Sequence, residues 1–329
     1  PPPPPGAAPT RAPHTLPRPA PHERPVLAPE EMSVSNLLRL IGRRLVARFN
    51  PATEGLFPAA DLAVQVACLR AVRAAGLPAP EVVLDDSTGS ILGEAVFVME
   101  FIAGMTPRDL PPHFAVEGPL VDARPEQQRV YYCDMVDRIS QLSDVTPPTE
   151  LTLGPDLLDH VARLNQLRLD RGSDSEFFGD VEAQLRATIP APAPTGFLWG
   201  DPRPANTVLA PDFRVAAMLD WELAALGPAE MDIAWLWEMN VLRGDPNRPD
   251  ARLLPGFLDL GETWDRWSAN TGRTPVGAAW HHLFAAYKVA LILDLNFRVQ
   301  VRRGELAADH KLFRNNRALR RLTTLATSL

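Results

Sequence analysis

The chain has 329 residues, 46% hydrophobic and 22% charged, with a formal net charge of -7. That much apolar material supports a sizeable buried core in one large or two coupled domains, and the acidic balance argues against a broad nucleic-acid surface. A polyanionic ligand must be held locally. The two cysteines, Cys68 and Cys133, stand far apart in no disulfide or zinc spacing, which points to a reducing, cytoplasmic setting. The most apolar C-terminal stretch, Leu283 to Phe297, is interrupted by Lys288 and Asp294 and is too short to span a bilayer, so no membrane partner is expected. Opening on Pro1 with no apolar signal core, the numbering is expected to begin inside a longer or processed product.

Twelve of the first 29 residues are proline, and residues 1–29 are read as an extended, disordered leader. Asn36 to Leu40 and Leu45 to Phe49 read as two strands joined at Ile41-Gly42-Arg43-Arg44. Asp61 to Ala75 carries Leu62, Val66, Leu69 and Val72 at helical spacing and is stopped by Gly76 and Pro78. Strands over Glu81 to Leu84 and Ala95 to Phe101 complete a β-β-α-β-β order. Beyond Gly104 the pattern turns helical, with helices over Glu126 to Leu142 and Asp156 to Leu169. Short strands follow at Phe197 to Trp199, Thr207 to Leu209 and Val215 to Leu219, and helices resume from Glu230.

Trp199-Gly200-Asp201-Pro202-Arg203-Pro204-Ala205-Asn206 places a carboxylate, a guanidinium and an amide in one loop between two strands. Asp220 lies fourteen residues past Asn206, and a turn at Pro211-Asp212 would fold the intervening strands into a hairpin that returns it beside Asn206. Phosphoryl transfer needs this set, because it depends on positioning and charge neutralisation more than on covalent chemistry. Asp201 suits a base that orients the acceptor hydroxyl, Asn206 and Asp220 suit Mg²⁺ ligands, and Arg203 suits offsetting phosphoryl charge.

The Gly200-Asp201 to Asn206 loop followed by Leu219-Asp220-Trp221-Glu222 resembles the pattern of the aminoglycoside phosphotransferase family, from about Ser33 to the C-terminus. Within it, the chain is similar to a branch some of whose members are fused to acyl-CoA dehydrogenases. The resemblance implies an α+β, bilobal, protein-kinase-like fold, with a nucleotide-binding lobe over 30–104 and a mainly helical catalytic and acceptor-binding lobe over 105–329. It further implies ATP, with GTP as an alternative donor, together with Mg²⁺. By the same resemblance Arg48 pairs with the nucleotide phosphates, Gln65 anchors Arg48, and Met99, Glu100 and Ile102 form the hinge that reads the adenine edge. Asp232 resembles the aspartate that braces the catalytic loop through its backbone amides. The implied activity is O-phosphorylation of a small hydroxyl-bearing molecule, either aminoglycoside-like or a hydroxyacyl compound.

Ser33-Val34-Ser35-Asn36, where the family has a Gly-rich phosphate-covering loop, contains no glycine. Pro228-Ala229 replaces the family's Asp-Pro, and Ser143 replaces a histidine. These departures, with Gln65, motivate an alternative reading as a nucleotide-binding pseudokinase acting as a regulatory or scaffold module. Trp199, Trp235, Leu236 and Trp237 are read first as core, and His281 and His282 as ordinary helix residues. Glu230, Glu238, Glu262 and Asp265 are read as dispersed acids that do not identify the substrate.

Overall fold

A computed structural model describes residues 37–41, 45–50, 61–109, 113–173, 175–244 and 253–328. The proline-rich leader, the Gly42–Arg44 turn and the Ser33–Asn36 segment lie outside the described residues. A four-stranded antiparallel sheet, in the order β1 (Leu37–Ile41), β2 (Leu45–Phe49), β4 (Val96–Glu100), β3 (Val82–Asp86), forms one lobe with helix α1 (Leu62–Ala74). The Asp61 carboxylate caps α1 by accepting from the amides of Ala63 and Val64, and Gly76 ends it with φ of 78°.

The larger lobe contains α2 (Pro125–Leu142), α3 (Leu157–Asp170), α4 (Glu176–Ala187), α5 (Glu230–Arg243), α6 (Leu260–Thr271), α7 (Ala278–Arg302) and α8 (Arg317–Ala326). Two small ribbons are set among them, β5 (Thr195–Leu198) with β8 (Ala225–Pro228), and β6 (Thr207–Leu209) with β7 (Val215–Met218). The architecture is the expected α+β bilobal, kinase-like fold. Two elements were not anticipated. Helix α4 has its apolar face at Phe178, Val181 and Leu185, but Gly179 and Asp180 interrupt the pattern. Strand β8, Ala-Leu-Gly-Pro, owes its form to pairing with β5 and not to its own propensity.

One apolar core joins the lobes: Leu62, Val66 and Leu69 of α1 share a cluster with Tyr131 and Met135 of α2, Trp199, and Ile233 and Leu236 of α5. A second cluster packs α3, α4, α5, α7 and α8 around Tyr287 and Leu291. The segment after β4 is tied to the second ribbon, since the amide of Met105 donates to Leu209 O at 2.9 Å and that of Leu209 to Met105 O at 2.8 Å. A side chain on Gly104 would collide with the Leu209 carbonyl, so this close approach requires glycine. The amide of Met218 donates to Pro78 O of the smaller lobe at 2.8 Å. No helix among the described residues is long and apolar enough to cross a membrane.

Candidate active site

The loop between β5 and β6 carries the catalytic candidates. Its start is pinned from behind by Asp232 in the first turn of α5, whose Oδ2 accepts from the Trp199 amide at 2.7 Å and Oδ1 from the Gly200 amide at 3.0 Å. Asp232 therefore makes the bracing contacts that the resemblance implied. Burial pushes its carboxyl up to about 6, against the lowering effect of those two amides. Gly200 has φ of 84°, and a side chain there would strike the carbonyl of Leu223.

Asp201 follows, 6% exposed, with every donor around it supplied by the larger lobe. Its Oδ1 accepts from the Trp235 indole N–H at 2.7 Å and its Oδ2 from Asn206 Nδ2 at 2.9 Å. Arg203 Nε lies 2.9 Å from Oδ2 as a charge contact. Burial raises the carboxyl above its ordinary range, while Arg203, Lys288 and the indole pull it down. The result is an aligned carboxylate with an elevated proton affinity, as a general base requires. Arg203 also pairs with Asp109, which Arg243 grips from α5, so Arg203 is held in place from the segment after the hinge.

The ribbon β6–β7 folds as the Pro211-Asp212 turn implied, and the Leu219 amide donates to Asn206 O at 2.9 Å. This brings Asp220 back beside Asn206. Asp220 has φ of 60°, a left-handed conformation that aspartate tolerates better than most residues. The Asn206 amide nitrogen is committed to Asp201, which leaves Oδ1 as the free end of that side chain. Trp199 is core, as read from sequence: it is fully buried, stacks on Trp221 at 5.6 Å, and donates its indole N–H to Leu219 O at 2.8 Å.

The smaller lobe contributes Arg48 from β2, 5% exposed. The structure corrects one expectation here. Arg48 Nη2 bonds Asp220 Oδ1 at 2.7 Å and lies 3.6 Å from Glu222 Oε2, so its anchors are carboxylates of the other lobe and not Gln65. An ionised partner attracts a guanidinium more strongly than a neutral amide does. Gln65, 1% exposed on α1, has neither amide atom hydrogen-bonded, and Arg48 Nε is also buried without a partner among the described residues. Burial and the nearby Asp220 push the Glu222 carboxyl up to about 7.

Met99 is buried near the end of β4, the Glu100 amide donates to Glu81 O at 2.9 Å, and Ile102 lies just beyond the strand. The hinge candidates thus sit at the junction of the lobes. Among the described residues no group of three His, Cys, Asp or Glu side chains gathers as for a tightly held metal. Asp220 with Asn206 Oδ1 instead suits Mg²⁺, which takes one or two protein oxygens and completes its shell with phosphate and water. Arg48 Nε is buried without a partner among the described residues, next to Asp220, so the residues present fit a nucleotide with Mg²⁺.

Sequence reasoning missed Lys288. It lies on α7, donates from Nζ to Gly200 O at 2.8 Å and sits 4.2 Å from the centre of the Trp235 ring. Three of the four acids considered for a cationic substrate are otherwise engaged, Glu230 with Arg273, Glu238 with Arg321 and His282, and Glu262 in the cap of α6, while Asp265 is exposed on α6. His282 is thereby hydrogen-bonded to the buried Glu238–Arg321 pair, while His281 is plain buried helix.

The phosphotransferase enzyme family model matches residues 28–269. A mouse protein, acyl-CoA dehydrogenase family member 10, is 25% identical over 272 residues, covering 78% of this chain and 24% of its own length. The chain thus spans about a quarter of that relative. An aminoglycoside phosphotransferase-like structure from Ralstonia eutropha superposes with a TM-score of 0.65 at 19% identity, covering 90% of this chain and 92% of the other. The GDP complex of aminoglycoside 2'-phosphotransferase-IIIa gives 0.56 at 13% identity, covering 90% and 91%. With the family model spanning most of the chain, over the loop, the hairpin and the brace described above, this protein belongs to the phosphotransferase enzyme family, small-molecule kinases that phosphorylate hydroxyl groups.

Proposed function

We propose that the protein transfers the γ-phosphoryl group of ATP, with Mg²⁺, to a hydroxyl of a small acyl-bearing acceptor in the cytoplasm. The observation that carries the phosphotransfer reading is the Asp201 carboxylate, buried and oriented by Trp235, Asn206 and Arg203 beside the Asn206–Asp220 pair. In this mechanism Asp201 aligns the acceptor hydroxyl and takes its proton. Asn206 Oδ1 and Asp220 would hold the metal, Arg48 would turn from Asp220 toward the phosphates, and Arg203 would offset charge on the transferred group. Bound Mg²⁺ would supply neutralisation of the phosphate oxygens. Backbone groups of Glu100 and Ile102, next to Met99, would read the base. Such a reading runs through main-chain atoms, and the similar 2'-phosphotransferase is known with GDP, so GTP is the alternative donor.

A cavity of about 300 Å³ beside the loop supports the acyl class of acceptor over a cationic sugar. Leu164, Leu198, Met231 and Phe284 line it together with Arg163 and Lys288. Of its two acids, Asp232 is committed to the loop amides and Asp170 accepts from Gln166. Lys288 is likewise committed, to Gly200 O and the Trp235 face, so apolar walls with the Arg163 guanidinium are what suit an alkyl chain bearing a carbonyl or carboxylate. The name of the mouse relative agrees with acyl chemistry.

The test is phosphoryl transfer from ATP to two acceptor sets, hydroxyacyl compounds and aminoglycosides, with wild type and Asp201→Asn. Transfer to the first set, lost in the variant, is expected. Transfer to aminoglycosides alone would overturn the acceptor assignment, and a protein that binds no nucleotide would be the scaffold module instead.

A further inference from the structure

Two side chains outside the expected catalytic set converge on the same loop. Trp235 comes from α5 and Lys288 from α7, and neither contacts Asn206 or Asp220 in any hydrogen bond or ion pair of the described residues. The Trp235 indole N–H reaches Asp201 Oδ1 at 2.7 Å, and the Lys288 ammonium lies 4.2 Å over the same ring. A cation on the face of an indole withdraws electron density and makes the ring N–H a better donor, while the face attracts the cation. The ammonium also donates to Gly200 O at 2.8 Å, while Asp232 accepts from the Gly200 amide on the preceding peptide. Lys288 thus holds both the donor that orients Asp201 and the peptide immediately before it.

We infer that Lys288 and Trp235 act as one positioning pair for the Asp201 carboxylate, the lysine fixing the indole and the Gly200 peptide and the indole fixing Oδ1. This rests on the phosphotransfer reading of the site. The charged and titratable groups that face Lys288 are Asp201 and Arg203 from the loop, Asp232 from α5, and Arg163 and His160 from α3. Asp201 and Asp232 favour the ammonium, and burial with Arg163 and Arg203 opposes it, leaving Lys288 lowered to about 8. Turnover should accordingly fall as pH rises through that value, because the neutral amine loses its attraction for the indole face.

The experiment measures ADP release from MgATP with water as acceptor, on the full chain, for wild type, Lys288→Met, Lys288→Arg, Trp235→Phe and the Lys288→Met/Trp235→Phe double variant. Each is checked for a cooperative thermal melt. Lys288→Met and Trp235→Phe should each lower kcat by about 10-fold or more while KM for ATP moves by less than about 3-fold. Lys288→Arg should recover most of the loss, and its alkaline limb should move to higher pH. The double variant should be little worse than either single change, because both act through Asp201. Losses that multiply, or an alkaline limb unchanged in Lys288→Met, would overturn the pair. If Lys288→Met does not melt cooperatively, Trp235→Phe and Lys288→Arg carry the decision through the kcat split and the moved limb. If wild type releases no ADP with water, the same variants are compared by ADP release with the two acceptor sets, and wild type that binds MgATP yet releases no ADP with any acceptor refutes the phosphotransfer reading. Full turnover in Lys288→Met refutes this inference alone.

Discussion

The two halves of the site differ in how completely their polar groups are satisfied. Around the catalytic loop, Asp201 and Asp232 have both carboxylate oxygens engaged, and the loop's glycine, tryptophan and asparagine are each tied to a neighbour. On the side of the smaller lobe, Gln65 leaves both amide atoms and Arg48 leaves Nε buried and unpartnered among the described residues. Buried polar groups cost free energy unless they are paired, so the first half is built to stay as it is and the second to rearrange around a ligand. In the proposed phosphotransfer, pre-organisation would belong to the chemistry and adaptability to phosphate binding.

Removing the base should give the largest effect. Asp201→Asn keeps the size of the side chain and should lower turnover by about 10²–10⁴-fold, while the affinity for MgATP, read by titration calorimetry, stays close to wild type. Equal losses of rate and affinity would merge the two halves into one. Asp220→Ala attacks the adaptable side: the metal-dependent part of ATP binding should disappear, and binding that persists unchanged with and without Mg²⁺ would remove Asp220 from the metal site.

Stability measurements sharpen the contrast. Asp232→Ala strands the Trp199 and Gly200 amides in the core and should cost about 2–4 kcal/mol in urea unfolding, each buried unpaired group costing about 1–3 kcal/mol. His160 is buried, and burial lowers its ring to about 4, so the folded state keeps it neutral where the unfolded chain begins to protonate at 6.5. Its contribution is fully present above pH 6.5 and is lost as pH falls toward 4. At about 1.4 kcal/mol per pKa unit, the acid loss from this group is on the order of 3 kcal/mol, and His160→Gln should flatten that part of the stability profile. Asp232, raised to about 6, acts with the opposite sign, contributing stability at low pH that is lost as pH rises through 6.

The smallest effect tests the correction at Gln65. Gln65→Glu offers Arg48 a carboxylate on its own lobe and should loosen the Arg48–Asp220 pair, changing MgATP affinity by a few-fold, on the order of 1 kcal/mol. No change in affinity would mean that Arg48 keeps its contacts with the larger lobe when nucleotide binds.

Much of this was legible in the sequence where chemistry and local pattern coincide. The cap and apolar spacing of α1, and the order of Asp201, Asn206 and Asp220 around a short hairpin, are local signals. The partners of those residues are not local. Trp235 lies 34 positions from Asp201 and reads as core because it is core, apart from one N–H. Lys288 lies 88 positions from Gly200 and reads as a blemish in an apolar helix. Gln65 was placed near Arg48 by resemblance, but the choice between an amide and two carboxylates is made by the geometry between the lobes. Strand β8 shows the same limit on the scale of an element.

The ribbon β6–β7 is stitched to Met105 on one side and to Pro78 on the other, while its ends carry Asn206 and Asp220. These backbone bonds tie one short ribbon to the segment after β4 and to the smaller lobe at once, so the spacing between the hinge candidates and the Asn206–Asp220 pair is carried by main-chain hydrogen bonds, which no side-chain substitution removes directly.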